Sequence, residues 1–283
     1  MSSTAIPNTQ AVAKSVVAEH FSTIAHVYND RNYVKAGKRD KYPDIAIRHR
    51  TFLEMIEGVS GRALEIGCGS GQMLHDLLQR DFEVVGIDIA PGMIASSRAL
   101  IKRSFPQIEP ALMIGDIENL ALPDEHFDLV VAAGVIEYLP SDINSFREIR
   151  RVLKPGGIVL LSVRNRINLS RWITTGRDLL ESSPLIGKGV VTATELARSF
   201  FSLPPNGGIP GRRHTPGALK RHLRRVGLHP VDSCFYHFAV FPRPVERRFG
   251  AFCSEWGQKL EVLRRTPLGY LANQYIVKAR KDY

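Results

Sequence analysis

The chain has 283 residues and a mass of 31.6 kDa, enough for one large α/β domain with at most a modest accessory region. Its residues are 44% hydrophobic and 23% charged, which argues against wholesale disorder, and no apolar run reaches the ~18 residues of a membrane span. The start of the chain lacks the apolar segment of a signal peptide. Three scattered cysteines exclude a disulfide framework and a paired-cysteine zinc module, so we expect a cytoplasmic protein.

The net charge of +10 is unevenly distributed along the chain. Residues 1–165 carry 18 basic and 20 acidic side chains, whereas residues 166–283 carry 20 basic and 8 acidic ones, a net charge of +12. A basic field of this kind attracts nucleic acid, anionic lipid or an acidic small molecule, and charge alone does not distinguish among them.

Apolar strands and amphipathic helices alternate up to Val163. Helices are predicted over Ser15–Tyr28, Pro43–Glu57, Met73–Gln79, Pro91–Ile101 and Asp142–Leu153. Strands are predicted over Arg62–Ile66, Glu83–Ile87, Ala111–Ile114, Phe127–Ala132 and Ile158–Val163. This alternation is typical of βαβ units with a parallel sheet that is buried on both faces.

The alternation stops after Val163. Residues 164–214 are rich in Arg, Gly, Pro and Ser, with helices predicted over Leu169–Leu180 and Thr194–Phe200. Beyond them we predict a basic amphipathic helix over Pro216–Val226. We also predict strands over Pro230–Phe241 and Gln274–Arg280, with a helical stretch over Val245–Leu263 between them.

The most informative segment is ALEIGCGSGQ, residues 63–72. It predicts a strand, a glycine-rich turn and the start of a helix, in which glycines let a ligand approach the backbone closely. A dinucleotide fingerprint has its third glycine one position later than Gly71, and Glu65, two residues before the first glycine, would repel a pyrophosphate. A carboxylate at that position favours a positively charged ligand, such as one with an amino group and a sulfonium.

Two more carboxylates stand at the ends of the next strands. Asp88 ends the second strand, where an acid can accept both hydroxyls of a ribose, and Asp116 follows the third, where it can accept from an exocyclic amine. Ligands of open α/β sheets bind at the carboxyl ends of the strands, so the acids are expected at one site. A ribose, an amine-bearing base and a cationic arm together describe S-adenosylmethionine.

With these motifs the chain resembles the class I S-adenosylmethionine-dependent methyltransferases, especially the small-molecule branch with the ubiquinone and menaquinone methyltransferases (a methyltransferase type 11-like domain). The matching stretches are ALEIGCGSGQ (63–72), VVGIDIAPGMI (84–94), GDIENLALPDEHFDLVVAAGVIEYL (115–139) and REIRRVLKPGGIVLLSV (147–163). The resemblance implies a Rossmann-like α/β fold, with a seven-stranded, mostly parallel sheet, an antiparallel last strand and helices on both faces. It also implies an N-terminal arm with cap helices (1–58), a cofactor-binding core (59–163), a substrate lid (164–214) and a C-terminal part of the same domain (215–283).

The resemblance further implies which residues contact the cofactor. The methionine portion would lie against Glu65, Gly67, Cys68, Gly69 and the Ala133 backbone, the ribose against Asp88, and the adenine against Ile89, Met93, Asp116 and Ile117. Cys68 needs only to be small. The family often has His where this chain has Tyr138, so no role is assigned to that position.

The sequence shows no catalytic dyad, since methyl transfer depends mainly on alignment of the acceptor with the methyl group. His214 and Tyr28 are the candidates for catalysis, and Trp172, Arg212 and Arg213 for substrate binding in the lid. The lid combines apolar and basic side chains, which suits a small-molecule acceptor of anionic or amphipathic character. We expect O-methylation and no bound metal.

Two other functions stay open. The isoelectric point of about 9.7 would suit an RNA methyltransferase, but no amino-methylation signature and no RNA-binding module is found, so no specific nucleic acid is expected. A non-catalytic protein that binds S-adenosylmethionine would carry the same cofactor motifs. The basic helix Ala218–Val226 also suits a reversible contact with an anionic membrane surface.

Overall fold

The computed structural model describes residues 9–29, 33, 44–169, 209, 211–239, 241 and 248–283. The predicted helix Thr194–Phe200, nearly all of Leu169–Leu180 and most of the predicted lid lie outside these residues. Within the described part of the chain, no helix is long and apolar enough to cross a lipid bilayer.

The helices and strands predicted before residue 164 all form. The helices are α1 (Thr9–Asn29), α2 (Asp44–Met55), α3 (Gln72–Leu78), α4 (Pro91–Ser104), α5 (Ile143–Val152), α6 (Pro216–Arg225) and α7 (Gly250–Lys259). The strands are β1 (Arg62–Ile66), β2 (Glu83–Asp88), β3 (Ala111–Ile114), β4 (Phe127–Ala133), β5 (Leu153–Arg164), β6 (Leu228–Tyr236) and β7 (Gln274–Lys281). Short 3₁₀ turns lie at Ile136–Tyr138, Leu260–Leu263 and Pro267–Leu271.

The strands form one seven-stranded sheet in the order β3-β2-β1-β4-β5-β7-β6. Strands β1 to β5 pair in parallel, and β7 runs antiparallel to both β5 and β6. This arrangement confirms the predicted Rossmann-like sheet. The order of the strands reverses between β1 and β4, and at such a point the connections leave on opposite faces, so that a crevice opens above the strand ends.

Apolar side chains bury both faces of the sheet, because successive residues of a strand point to opposite sides. Leu64 of β1 belongs to a core with α5 and α6, whereas Ala63 belongs to a core with α2 and α3. Helix α1 packs elsewhere: its Ala25 joins Ala90 and Met93, at the start of α4. It therefore lies against the carboxyl edge of the sheet.

Two strand boundaries differ by more than two residues from those predicted. Strand β5 begins at Leu153 rather than Ile158, but residues 154–157 bulge out of the ladder with β4, since their Pro-Gly-Gly run lacks a donor and favours a bend. Strand β6 ends at Tyr236, short of the predicted end, because His237 takes a φ of 64° and leaves the extended conformation.

Candidate functional site

The carboxyl ends of four neighbouring strands bring the predicted cofactor residues together. Ile66 of β1 lies beside both Ile87 of β2 and Ala132 of β4 in parallel register, so the segments that come after these strands share one edge. Every residue predicted to contact the cofactor lines one of two adjoining cavities at this edge. The topology therefore gathers residues that are spread over 69 positions, from Glu65 to Ala133.

The turn after β1 requires glycine at two positions for steric reasons. Gly67 has a φ of +70°, and a Cβ there would lie 2.2 Å from Cγ2 of Val135, in the segment after β4. Gly71 has a φ of +84°, and a Cβ there would lie 2.4 Å from the hydroxyl oxygen of Ser97 in α4. Other residues would be strained at these angles and would push the neighbouring segments apart. The turn thus stays tight, and its backbone borders the cavity.

The larger of these two adjoining cavities, which we call the main cavity, has an empty volume of about 770 Å³ including its open mouth. This size is typical of a small-molecule site. The predicted residues in its lining are Gly67, Gly69, Asp88, Ile89, Met93, Asp116, Ile117 and Ala133. Helix α1 covers the opposite side with Lys14, Val17, Phe21 and Tyr28. The N-terminal helix is therefore a wall of the site.

Asp88 is held in place by the backbone. Its Oδ2 accepts from the Gly69 N–H at 2.9 Å, and its Oδ1 accepts from the Ala90 N–H at 2.8 Å. Burial raises the pKa of Asp88, while these N–H groups oppose the rise. Each carboxylate oxygen can accept a further hydrogen bond, so the group is suited to a pair of neighbouring hydroxyls.

Asp116 faces helix α1 across the mouth of the main cavity. Its Oδ2 lies 2.5 Å from Nζ of Lys14, which also contacts Glu118 Oε2 at 2.6 Å. The sequence did not reveal Lys14 as a site residue, because it precedes Asp116 by 102 positions and no local pattern connects the two. The ion pairs tie α1 to the end of β3.

Glu65 lies in a smaller space that adjoins the main cavity, the polar cleft, which also exposes Tyr33, Arg48, His49 and Ser70. Glu65 is only 4% exposed, and among the described residues its Oε2 has no hydrogen-bond partner. Burial raises the pKa of Glu65 well above its usual range, and the nearby Asp88 carboxylate adds to the rise. A buried carboxylate without a partner is costly, so the cleft favours a ligand that brings a positive charge.

Arg48 is a second residue that the sequence did not reveal. It lines the polar cleft and also a third space, the side cavity. Its Nη1 would lie 2.7 Å from a Cβ on Gly134, so the glycine makes room for the guanidinium. Among the described residues, no carboxylate lies within ion-pair distance of Arg48, although Asp44 acts on it from farther away. A charged guanidinium in this position suits an anionic ligand group.

The side cavity has an apolar wall from α1 and a polar wall from α2 and the ends of β4, β5 and β7. In the polar wall, the Oε1 atom of Glu137 lies 2.9 Å from Nε of Arg164, and Arg164 donates to the Tyr138 hydroxyl at 3.2 Å. Tyr28, predicted as catalytic, lines all three spaces together with Ala133. Burial raises the pKa of Tyr28, so its hydroxyl stays protonated and can donate a hydrogen bond.

His214 and Arg212, predicted at the substrate, contact a buried acid. His214 Nε2 lies 3.1 Å from Asp142 Oδ1, which Arg212 also contacts, and His222 Nδ1 lies 3.0 Å from Asp142 Oδ2. Neither His214 nor Arg212 is among the described residues that line the three spaces. The structure therefore places both one layer behind the cavity walls.

Arg212 reaches the cavity wall through the backbone. Its N–H donates to the Glu137 carbonyl at 2.7 Å, and its guanidinium donates to the Ile136 carbonyl at 3.3 Å. Arg213 is exposed, and Trp172 lies outside the described residues. Substrate contacts by Arg212, Arg213 and Trp172 thus stay predictions.

Two kinds of chemistry find no support at this site. Burial raises the pKa of the Cys68 thiol well above its usual range, so the thiol is not a ready nucleophile. In the part of the chain that the structure describes, no three His, Cys, Asp or Glu side chains are grouped so that they could hold a metal ion.

Comparisons with known proteins show that the chain is similar to methyltransferases. A family model described as a methyltransferase domain matches residues 64–161. A demethylmenaquinone methyltransferase from Symbiobacterium thermophilum is 32% identical over an alignment of 232 positions, which covers 76% of this chain and 86% of that protein. A ubiquinone biosynthesis O-methyltransferase from Cereibacter sphaeroides is 29% identical over 60% of this chain, and the chain spans 61% of that relative's length, less than two thirds.

A solved structure extends the likeness of the fold. Magnesium protoporphyrin IX methyltransferase from Synechocystis PCC 6803, with bound SAH, has a TM-score of 0.61 and 14% identity to this chain. The superposition covers 95% of this chain and 100% of that one. At this identity the likeness concerns the fold alone.

Proposed function

The chain belongs to the S-adenosylmethionine-dependent methyltransferases, and from this membership we propose that it methylates a hydroxyl of a small-molecule acceptor. The observation that carries the proposal is the joint placement of Glu65, Asp88 and Asp116, which stand in or after three neighbouring strands and line adjoining cavities. A hydroxyl acceptor is further supported by the relative from Cereibacter sphaeroides, which is named as a ubiquinone biosynthesis O-methyltransferase.

The charged groups of the site fit those of the cofactor. Glu65 would accept from the ammonium of the methionine portion, which would give its unpartnered oxygen a hydrogen-bond donor. Arg48, in the same cleft, would bind the carboxylate of that portion. Asp88 would accept from the ribose hydroxyls, and Asp116 from the adenine amine. Lys14, paired with Asp116, would then close α1 over the adenine end.

The cofactor supplies a methyl group on a sulfonium, and the thioether released in the transfer is a good leaving group. The protein's main contribution is therefore to hold the acceptor in line with that methyl group, and such alignment is worth up to ~7–11 kcal/mol. Ala133 and Gly134 line both the main cavity and the side cavity, so the two spaces meet where the methionine portion would lie. We place the acceptor in the side cavity, whose apolar wall from α1 suits the body of an amphipathic molecule.

The proposal is tested with the pure protein, methyl-labelled S-adenosylmethionine and a small-molecule extract of the cells that express it. We expect a labelled methyl ether, identified by mass spectrometry, and one S-adenosylhomocysteine for each ether formed. Asp88→Ala should abolish labelling, whereas Asp124→Ala, which removes an exposed partner of Arg151, should not. Label in added RNA, or no label in any product, would contradict the proposed function.

A further inference from the structure

The side cavity contains a buried acid that has no part in the proposed cofactor contacts. Glu137 lies in the 3₁₀ turn four residues after the end of β4, and its side chain is 8% exposed. It lines the side cavity with Gly134 and Tyr138, which also line the main cavity. The carboxylate therefore lies close to the junction of the two spaces.

The immediate partners of Glu137 leave part of its carboxylate free. Its Oε1 pairs with Nε of Arg164 at 2.9 Å, and among the described residues no hydrogen bond to its Oε2 is found. Arg164 also donates to the Tyr138 hydroxyl, and its guanidinium carbon lies 5.6 Å from the centre of the Tyr138 ring. Arg164 thus fixes the carboxylate and leaves one oxygen that can accept a proton.

From this geometry we propose that Glu137 is the general base that takes the proton from the acceptor hydroxyl, with Arg164 as a positioning residue. The inference rests on the proposed function. In the step, the acceptor oxygen bonds to the methyl carbon and the carbon–sulfur bond breaks with its electron pair kept on sulfur. The hydroxyl proton moves to Oε2 of Glu137, so charge and atoms balance.

The charges around Glu137 suit this role. The groups that act on it are Arg164 of β5, Arg48 of α2, Tyr28 of α1, Tyr236 of β6, Tyr138 and His214. Burial raises the pKa of Glu137, and the two guanidinium groups oppose the rise. A base works best when its pKa approaches the working pH, so a net rise in the pKa of this carboxyl group is favourable. Burial also raises the pKa of Tyr138 to about 12, so that hydroxyl stays protonated near neutral pH and is not available as the base.

The main test compares Glu137→Gln, which keeps the shape and cannot take the proton, with the wild type in the labelled extract assay. We expect the rate at saturating cofactor to fall by about 10²-fold or more, and Glu137→Asp to restore part of it. S-adenosylhomocysteine affinity and the melting temperature should stay close to the wild-type values. Glu83→Gln, which breaks an exposed pair with Arg62, is the matched control and should keep the full rate.

A second test begins with a measurement that needs no acceptor and then compares it with the rate–pH profile. The titration of the Glu137 carboxyl carbon, followed by NMR in the S-adenosylhomocysteine complex, should move to higher pH in Arg164→Gln and less in Arg164→Lys. Removing the guanidinium disfavours the charged carboxylate, so the acid limb of the rate–pH profile should move in the same direction. This comparison tests the role of Glu137 as the base even if Glu137→Gln does not fold.

The outcomes are distinguishable. A Glu137→Gln enzyme with the wild-type rate, or a rate–pH profile that Arg164→Gln leaves unchanged, would overturn the role of Glu137. A wild type that binds S-adenosylhomocysteine and forms no methylated product would overturn the proposed function itself.

Discussion

The buried Glu65 carboxylate has one oxygen, Oε2, that accepts no hydrogen bond from any residue that the structure describes. Its burial is the direct consequence of its position in β1, the strand between β2 and β4. The raised pKa shows that the folded chain disfavours the charge. A buried carboxylate without a cationic partner lowers the stability of the free protein, and a cationic ligand then stabilises the complex.

We therefore expect Glu65→Gln to stabilise the free protein while it weakens cofactor binding. The pKa of Glu65 is higher in the folded protein than in the unfolded chain. The wild type therefore loses stability as the pH rises from the unfolded pKa through the folded pKa. Glu65→Gln cannot ionise, so the variant does not lose stability in this way. Urea unfolding above neutral pH should favour the variant by about 1–3 kcal/mol, and its affinity for S-adenosylhomocysteine should fall by about tenfold or more. A variant that is less stable at high pH, with unchanged affinity, would contradict this.

At the level of single residues, the sequence could predict the site residues near the strand ends and little else. Glu65, Asp88 and Asp116 are recognisable because the local pattern of each strand and its turn fixes their place. Lys14 and Arg48 belong to helices whose docking on the sheet edge depends on tertiary packing, so a polar position on α1 or α2 gives no signal of its own. The predicted role of His214 is equally non-local, because only the fold shows that Asp142 faces it.

Among the elements, Asp142 joins three pieces of chain: the start of α5, the segment before α6, and α6 itself. Burial would raise the pKa of Asp142, but hydrogen bonds from His214, His222 and Arg212 outweigh it and hold the pKa well below its usual range. Through Arg212 the same network supports the 3₁₀ turn that carries Glu137. From this geometry we propose that His214 and Arg212 act as positioning residues, while their predicted roles in catalysis and substrate binding stay predictions.

Asp142→Asn should lower the free energy of unfolding by about 1–3 kcal/mol, because an amide replaces the buried carboxylate that Arg212, His214 and His222 contact. A carboxylate with a lowered folded pKa contributes stability above its unfolded pKa and loses it as pH falls through the folded pKa. Chemical unfolding should therefore show the full difference at neutral pH and a smaller one below about pH 4. Asp124→Asn, which removes an exposed ion pair with Arg151, should lower the free energy of unfolding by less than ~1 kcal/mol. A difference that does not change with pH would argue against the network.

Over the whole molecule, the parallel core was predictable because each of its strands is a short apolar run between helices. The direction of β7 was not, since pairing direction leaves no local trace, and it came from the family resemblance. The end of β6 was misplaced because the left-handed His237 interrupts a run that stays apolar in sequence.

The uneven charge of the chain is partly balanced in space. Arg264 pairs with Glu54 at 3.0 Å, and Lys281 pairs with Glu125 at 3.0 Å, so basic residues of the C-terminal half meet acids of the N-terminal half. The Lys281 pair comes from the sheet, which places β7 beside β5 and so brings its end close to the segment before β4. The separation of charge along the sequence is therefore greater than its separation in space at these two places.

We infer that the acidic edge of the sheet selects a nucleoside with a cationic amino-acid tail. Calorimetric titration of the purified wild type with S-adenosylhomocysteine and, separately, with NAD⁺ tests it most directly. We expect one molecule of S-adenosylhomocysteine to bind per chain with micromolar or tighter affinity, and no measurable heat from NAD⁺. Binding of NAD⁺ in that crevice, with no binding of S-adenosylhomocysteine, would contradict the claim.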